Sequence, residues 1–238
     1  FLNDDILVFE NFDLILMFKL YYMSMCAPSR AAKIILNEKS IKFRSINEPV
    51  WQRRIEFLKI NPEGELPVII DNSNNIIIGY FSLAYFLEDN EDKKSLVGKC
   101  PLSRLEVRRL CKWFDNKFNK EVYQNIVEER VFKNLKGLGS TSSEFLKAGR
   151  VNLKNHENYL EWLFKSRTFI AGEFFSIADI ICAAYLSTLD YLGEVEWERI
   201  NLTKKWYAKI KSRPSFRDIL EEKLFTIPAS KHYKNLDF

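Results

Sequence analysis

The first half of the chain alternates short apolar runs with segments of helical spacing. MFKLYY at 17–22 is apolar and aromatic, and IKFRSI at 41–46 alternates with period two, so both predict strands. LPVIID and NNIIIGY flank the turn-rich Asn72-Ser73-Asn74 and predict a β-hairpin. Helical spacing appears in three segments, 28–39, 51–60 and 82–89. The order βαβαββα predicts an α/β domain over 17–90, built on a mixed four-stranded sheet.

The second half has helical periodicity throughout. Residues 91–102 are mostly polar and contain a Gly and a Pro, which predicts a linker. Amphipathic segments follow, and FSIADIICAAYLSTLDYL at 175–192 is apolar on nearly every face, which predicts a buried central helix. We expect an all-α domain over 103–222 and a C-terminal tail over 223–238. The amphipathic segments are 103–122, 124–135, 142–165 and 197–220, the last interrupted at Pro214.

Charge and composition narrow the class of protein. The net charge is +4, but residues 1–16 hold four acids and no base, so the remainder carries +8. We interpret 1–16 as an extension outside the fold, because its charge differs from the rest and the first strand-like run opens at Met17. A basic remainder favours acidic partners, but this charge is too dilute to indicate nucleic acid. No apolar run approaches the ~18 residues of a membrane helix, so we expect no membrane insertion.

Cysteine and histidine usage points to the cytoplasm and away from metal chemistry. The four cysteines are scattered without pairing logic, which fits a reducing compartment. Only two histidines are present, His156 and His232, and they lie far apart, so we expect no metal site. His156 is interpreted as structural or exposed.

Two motifs carry a family resemblance. Residues 61–68 read NPEGELPV before a predicted strand, and Ser176-Ile177-Ala178-Asp179 can form a capping box at the start of the buried helix. With the two-domain layout, they resemble the NP-x-G-x-(V/L)-P-V segment and S/T-x-x-D folding box of cytosolic glutathione transferases. The resemblance implies a thioredoxin-like domain followed by an all-α domain. It also implies a cis bond before Pro67 that leaves the Leu66 backbone free to pair with a peptide ligand. The alternative is a plain proline-rich turn before an edge strand.

In that family, chemistry sits at the turn from the first strand into the first helix. Here Cys26 takes the position of the nucleophile of cysteine-type members, and Cys26-Ala27-Pro28-Ser29 has the form of a monothiol redox site. A helix N-terminus favours a thiolate. The alternative is a small cysteine buried beneath the turn. Tyr22 and Ser24 lie nearby, but we assign them to the strand and the loop.

The resemblance also implies an acid–serine pair at the start of the third helix, which holds the charged γ-glutamyl end of glutathione. This chain has Gly79 and Tyr80 there, so we expect the Tyr80 ring to project into the pocket. No acid lies between Asp71 and Glu88. A lost charged hydrogen bond is worth ~1.5–3 kcal/mol, so losing two contacts weakens binding roughly 100-fold or more. Glu65 is a possible substitute from the preceding turn, but more often such a residue is solvated. We therefore expect weak or absent glutathione binding, and no other cofactor.

Further stretches resemble a narrower branch of this superfamily, the bacterial FtsZ-localised division proteins. They are the segment from Glu48 to Leu58, WYAKIKSRPSFR at 206–217 after Trp197, and the terminal HYKNLDF. The resemblance implies a non-catalytic homodimer that binds filaments of the tubulin-like GTPase FtsZ, regulates constriction and is recruited to the division site. The alternative function is a glutathione-dependent transferase or thiol reductase that uses Cys26.

A binder needs exposed anchors, and three groups are candidates. Trp51 with Arg53 and Arg54 forms an aromatic–basic cluster of the kind found at hot spots, unless Trp51 caps the core. Glu128-Glu129-Arg130 is a candidate wall of the interdomain cleft or an ordinary solvated face. The tail is interpreted as a partner-docking segment, with docking onto the parent domain as the alternative. Its candidate residues are His232, Tyr233, Leu236, Asp237 and Phe238.

Overall fold

The computed structural model describes residues 17–90 and 95–236. The predicted extension at 1–16 and the candidate residues Asp237 and Phe238 lie outside these ranges, so the predictions made for them remain predictions.

The N-terminal domain has the predicted order βαβαββα. Its sheet has the order β2 (Phe43–Asn47), β1 (Phe18–Tyr22), β3 (Val68–Ile70) and β4 (Ile76–Ile78). Strand β1 is parallel to β2 and antiparallel to β3, and β3 is antiparallel to β4. The predicted helix at 51–60 is divided, because Arg53 adopts a left-handed conformation (φ 48°) between a 3₁₀ turn at Val50–Gln52 and the next helix. The elements are β1 (Phe18–Tyr22), α1 (Ala27–Glu38), β2 (Phe43–Asn47), α2 (Ile55–Ile60), β3 (Val68–Ile70), β4 (Ile76–Ile78) and α3 (Tyr80–Asn90).

The C-terminal domain is helical, as predicted, but its first two predicted helices are one. Residues 101–135 run without a break because the buried stripe through Phe114, Phe118, Val122 and Ile126 continues with no Gly or Pro. The elements are α4 (Pro101–Trp113), a wider π-helical segment (Phe114–Phe132), α5 (Lys133–Leu135), α6 (Ser143–Phe164), α7 (Ile177–Tyr191), α8 (Asn201–Lys211) and α9 (Arg217–Leu220), with 3₁₀ turns at Trp197–Arg199 and Pro214–Phe216.

Helix α7 is the predicted central helix, and all of its residues are buried. The predicted capping box is present: the Ser176 hydroxyl accepts from the backbone N–H of Ala178 at 3.3 Å, and the Asp179 carboxylate accepts from the Ser176 N–H at 3.0 Å. Asp179 also accepts from the Trp206 indole N–H at 2.9 Å. The box therefore starts α7 and ties it to α8.

The predicted linker is in part an element of the core. Leu96 and Val97 are 3% and 1% exposed, and the Leu96 carbonyl accepts from the Ile177 N–H at 2.9 Å. Apolar side chains at these two positions explain the correction, because burying them is favourable and a solvated linker would expose them.

Polar contacts join the two domains along α1. Glu38 binds the Arg213 guanidinium at 2.6 Å and the Ser215 hydroxyl. Arg30, which is 1% exposed, donates to the Ser187 hydroxyl at 2.7 Å and pairs with Glu222 at 3.1 Å. These contacts hold the α/β domain against α7 and the C-terminal end of the all-α domain.

The described part of the predicted tail over 223–238 packs onto its own domain. Tyr233 is 0% exposed, its hydroxyl donates to the Ile219 carbonyl at 3.0 Å, and its ring lies 5.1 Å from that of Tyr191. His232 contacts the buried Asp190 carboxylate at 2.9 Å. A fully buried aromatic ring anchors this segment to its own domain, which is the alternative stated above.

Candidate functional site

A cleft of about 280 Å³ lies between the two domains. It is bounded by the β1–α1 turn, the turn before β3 and the π-helical segment. Its lining includes Met23, Cys26, Val50, Glu65, Leu66, Tyr123, Glu128, Phe132 and Tyr185.

The turn before β3 has the geometry that the family resemblance implies. The Leu66–Pro67 bond is cis. The buried Asn61 side chain holds the turn, donating to the Glu65 carbonyl at 3.0 Å and accepting from the Glu63 N–H at 3.2 Å. This turn places Leu66 in the wall of the cleft.

Cys26 is placed as predicted but is not activated as a redox thiol would be. It is the N-cap residue of α1, is half-buried and lines the cleft. Burial raises the pKa of its thiol above the usual value, and the nearby Ser29 opposes this shift only in part. A thiol with a raised pKa is mostly protonated at neutral pH and is a poor nucleophile. Tyr22 and Ser24 are not among the residues that line the cleft.

The acid–serine position differs from the expectation in where Tyr80 lies. Gly79 has φ 82°, a conformation that suits glycine, and its N–H donates to the Pro67 carbonyl at 2.9 Å. We expected the Tyr80 ring to project into the ligand pocket, but it is 4% exposed and its hydroxyl donates to Asp115 at 2.7 Å. This bond draws the ring away from the pocket and into the domain interface, against the π-helical segment.

The cleft presents carboxylates and no base. The acidic side chains that line it are Glu65, which is exposed, and Glu128, which pairs with Lys136 at 2.9 Å. Among the residues described as lining it there is no Lys, Arg or His. Glutathione has two carboxylates and one ammonium group, so this lining offers its carboxylates no side-chain counter-charge.

The predicted aromatic–basic cluster separates into parts. Trp51 is half-buried and its ring centroid lies 6.4 Å from that of Phe132, across the domain boundary. Arg54 is held by the fully buried Glu48 at 2.6 Å, so its charge is used within the fold. Arg53 is exposed. Trp51 and Arg53 remain candidates for partner contact.

The three charged residues at 128–130 point to different neighbours. Only Glu128 lines the cleft. Glu129 accepts from the Ser142 N–H at 2.7 Å, a bond at the start of α6, and it also pairs with Lys133 at 3.0 Å. Arg130 pairs with Glu194 at 2.6 Å. The interpretation of Glu129 as a partner-binding residue is not supported by this intramolecular role.

His156 and Leu236 complete the predicted set. His156 is 3% exposed and its Nε2 lies 2.9 Å from a Glu121 oxygen, so it is a structural residue, one of the two roles expected. Leu236 is 39% exposed and stays a candidate for partner contact.

Sequence reasoning missed two groups at the domain interface. Asp115 lies in the otherwise apolar stripe of the π-helical segment, and burial raises the pKa of its carboxyl to about 6. An acidic residue within an apolar stripe is a sequence signal that could have identified Asp115 as a buried group. Tyr185 is 1% exposed, lines the cleft from α7, and burial raises the pKa of its hydroxyl. Nothing in the pattern of a wholly apolar helix singles it out.

Comparison with known proteins agrees with this architecture. Residues 20–95 match the family model described as glutathione S-transferase, N-terminal domain, and 140–214 match that of the C-terminal domain. FtsZ-localized protein A of Caulobacter vibrioides is 35% identical over 222 residues, which cover 92% of this chain and 97% of that protein.

Two solved structures are similar over nearly the whole chain. A glutathione S-transferase from Rhodospirillum rubrum F11 has a TM-score of 0.90 at 39% identity, covering 93% of this chain and 100% of that one. FzlA from C. crescentus also has a TM-score of 0.90, at 35% identity and the same coverage. Because the two family models span more than half of the chain and a relative of this identity covers most of it, the chain belongs to the glutathione S-transferase family.

Proposed function

We propose that this protein is a non-catalytic family member that binds filaments of the division GTPase FtsZ and regulates cell constriction. It acts in the cytoplasm as a homodimer and is recruited to the division site. The observation that carries the proposal is the 35% identity to FtsZ-localized protein A along 97% of that protein's length. Its name places that relative with FtsZ, and the similarity extends through both domains.

The cleft supports a binder over a glutathione-dependent enzyme. Tyr80 bonds to Asp115 in the domain interface, and Gly79 offers no carboxylate. The raised pKa of Cys26 disfavours a thiolate nucleophile. An enzyme of this family needs both a held glutathione and an activated sulfur, and these three residues supply neither.

The second candidate function is a glutathione-dependent transferase or thiol reductase. It is favoured by one observation, the placement of Cys26 in the cleft wall at the start of α1. Retention on immobilised glutathione and turnover with a thiol-reactive electrophile separate the two functions, with Cys26→Ala as the control. Turnover that disappears in Cys26→Ala would establish the enzyme.

The homodimer is supported by apolar side chains exposed on adjoining parts of the two domains. On β4, Ile76 is 50% exposed, and on α4, Leu102 and Leu105 are 77% and 64% exposed. Helices α3 and α4 adjoin through the Tyr85 hydroxyl, which accepts from Arg108 at 2.8 Å. A second copy covering this face would remove these side chains from water.

Light scattering on a sizing column tests the dimer. Leu105→Glu should shift the mass from dimer to monomer, because it buries a charge in the proposed interface. Leu138→Glu is the matched control, since Leu138 is 66% exposed in the loop after α5. A monomeric wild-type protein, or equal effects of the two changes, would contradict the proposed face.

Co-sedimentation with FtsZ assembled in GTP tests the principal proposal. The wild type should pellet with the polymer and stay in the supernatant when GDP replaces GTP. Arg53→Glu should weaken pelleting if the Trp51–Arg53 surface docks, whereas Lys59→Glu reverses another exposed charge, on α2, and is the control. Absence of wild-type protein from the pellet would overturn the proposal, and a fluorescent fusion tests recruitment to the division site.

A further inference from the structure

A second cavity lies in the all-α domain and shares no lining residue with the interdomain cleft. Its volume is about 370 Å³, and it opens between the end of the π-helical segment, the middle of α6 and the turn after α7. Leu153 and Leu192 supply apolar wall, and the rest of the lining is mostly charged. A volume of this size is within the range of small-molecule sites.

The bases at this cavity already have carboxylate partners. Arg130 and Arg150 both bind Glu194, at 2.6 Å and 2.7 Å, and Glu194 is 5% exposed. Lys154 pairs with Glu196 at 3.2 Å. An incoming anion would have to displace one of these carboxylates, so the rim does not present a free positive site.

Of the three carboxylates that line the cavity, Glu157 alone has no described basic group within hydrogen-bond distance. It is 1% exposed, lines the cavity, and its Oε2 makes no hydrogen bond within the described chain. Its nearest ion pair, with Arg199 at 3.7 Å, is too long for a hydrogen bond, and Arg199 also pairs with Glu196 at 3.4 Å. Burial raises the pKa of the Glu157 carboxyl to about 7.

A buried carboxylate left unsatisfied is costly, and such groups in native proteins usually have a partner. We infer that this cavity is a ligand site for a small organic cation, with a primary ammonium or guanidinium group that binds Glu157 and a short aliphatic part that packs on Leu153 and Leu192. An N–H donor from such a cation satisfies the carboxylate and neutralises its charge together.

The alternatives of a metal ion and an anion fit less well. Across residues 17–90 and 95–236 no three His, Cys, Asp or Glu side chains are grouped to hold a metal ion. An anion would lie beside Glu157 while the nearby guanidinium groups stay bound to Glu194. A cation with an N–H donor is thus the ligand that the Glu157 carboxylate, which lacks a hydrogen bond at Oε2 among the described residues, complements.

Calorimetric titration with cadaverine and with agmatine at pH 7.5 tests the inference. The wild type should bind one molecule per protomer, and Glu157→Gln, which keeps the shape and removes the charge, should weaken binding by about tenfold or more. Glu144→Gln removes an exposed carboxylate from the first turn of the same helix and should bind as the wild type does. Circular dichroism confirms that each variant is folded.

Two further titrations define the ligand. Propionate has the aliphatic part with the opposite charge and should not bind. A doubly capped lysine carries the same ammonium group on an aliphatic chain and should bind the wild type more tightly than Glu157→Gln. No amine binding at millimolar concentration, equal amine binding by Glu157→Gln, or binding of propionate instead would each overturn the inference. Because the cavity is separate from the cleft, these outcomes are independent of FtsZ co-sedimentation.

Discussion

Two truncations of the C-terminal segment separate its structural part from its candidate docking part. Ending the chain at Asn235 removes 236–238, of which Leu236 is 39% exposed. Ending it at Lys231 also removes His232, which contacts Asp190, and Tyr233, whose ring packs against that of Tyr191. We predict that the shorter truncation leaves stability unchanged and the longer one does not.

The magnitude follows from the burial of Tyr233. Truncating a buried aromatic side chain to Ala costs about 3–5 kcal/mol, and the 0% exposed Tyr233 ring belongs to this class. The lost hydrogen bond to the Ile219 carbonyl adds about 1 kcal/mol. In a chain of this size each kcal/mol moves the melting temperature by about 2–4 °C, so the longer truncation should lower it by roughly 10 °C or more.

Thermal unfolding followed by circular dichroism, at one protomer concentration, measures this difference. Tyr233→Ala in the full chain should reproduce most of the loss. FtsZ co-sedimentation of the chain ending at Asn235 then reports docking by 236–238 without a change in stability. If the chain ending at Lys231 melts within about 2 °C of the full chain, our reasoning from burial is refuted.

Three further predictions concern buried or cleft-lining groups. Burial raises the pKa of Glu157 from 4.5 to about 7, so the folded protein holds this proton more tightly than the unfolded chain does. The resulting gain in the free energy of unfolding is present at low pH and is lost as pH rises through 7. Urea unfolding should therefore show Glu157→Gln gaining about 3 kcal/mol over the wild type between pH 5 and pH 8, and a constant difference would contradict this. Tyr80→Phe should cost about 1–3 kcal/mol at pH 8 in the same assay, since it leaves Asp115 unsatisfied, and unchanged stability would exclude that role. Cys26→Ala should co-sediment with FtsZ as the wild type does, and loss of pelleting would assign the thiol a role in binding.

The sequence predicted the parts of this fold that local chemistry determines. The alternation of strands and helices and the capping box at Ser176 depend on a few adjacent residues, and both are present. The cis bond before Pro67, which the family resemblance implied, is present as well. The apolar run at 175–192 predicted the central helix because a helix apolar on every face has to be buried. These features require no knowledge of what packs against them.

The predictions that failed concern which partner a side chain finds. The two that failed are those for Tyr80 and Tyr233, whereas Arg54 and Glu129, which bond to Glu48 and to the Ser142 N–H, remain untested as partner contacts. Tyr80 was placed in the pocket because it takes the second position of the acid–serine pair, yet Asp115, 35 residues away, sets its direction. Tyr233 lies in a polar tail whose pattern does not show that Tyr191 and Ile219 surround it. Each depends on long-range contacts that periodicity does not contain.

The polar contacts between the domains bear on how a family fold can serve as a binder. Tyr80 and Asp115 join α3 to the π-helical segment, while Glu38 and Arg213 join α1 to the C-terminal end of the all-α domain. A cleft tied on both sides is a poor hinge, so the two domains present their outer surfaces in a fixed arrangement. Fixed surfaces lose little entropy when they dock. In a homodimer they would meet a filament as two copies at high effective concentration, and weak contacts at each copy would then suffice. If the protein binds filaments as proposed, Tyr80 would contribute to that binding by helping to fix the arrangement of the two domains through its bond to Asp115.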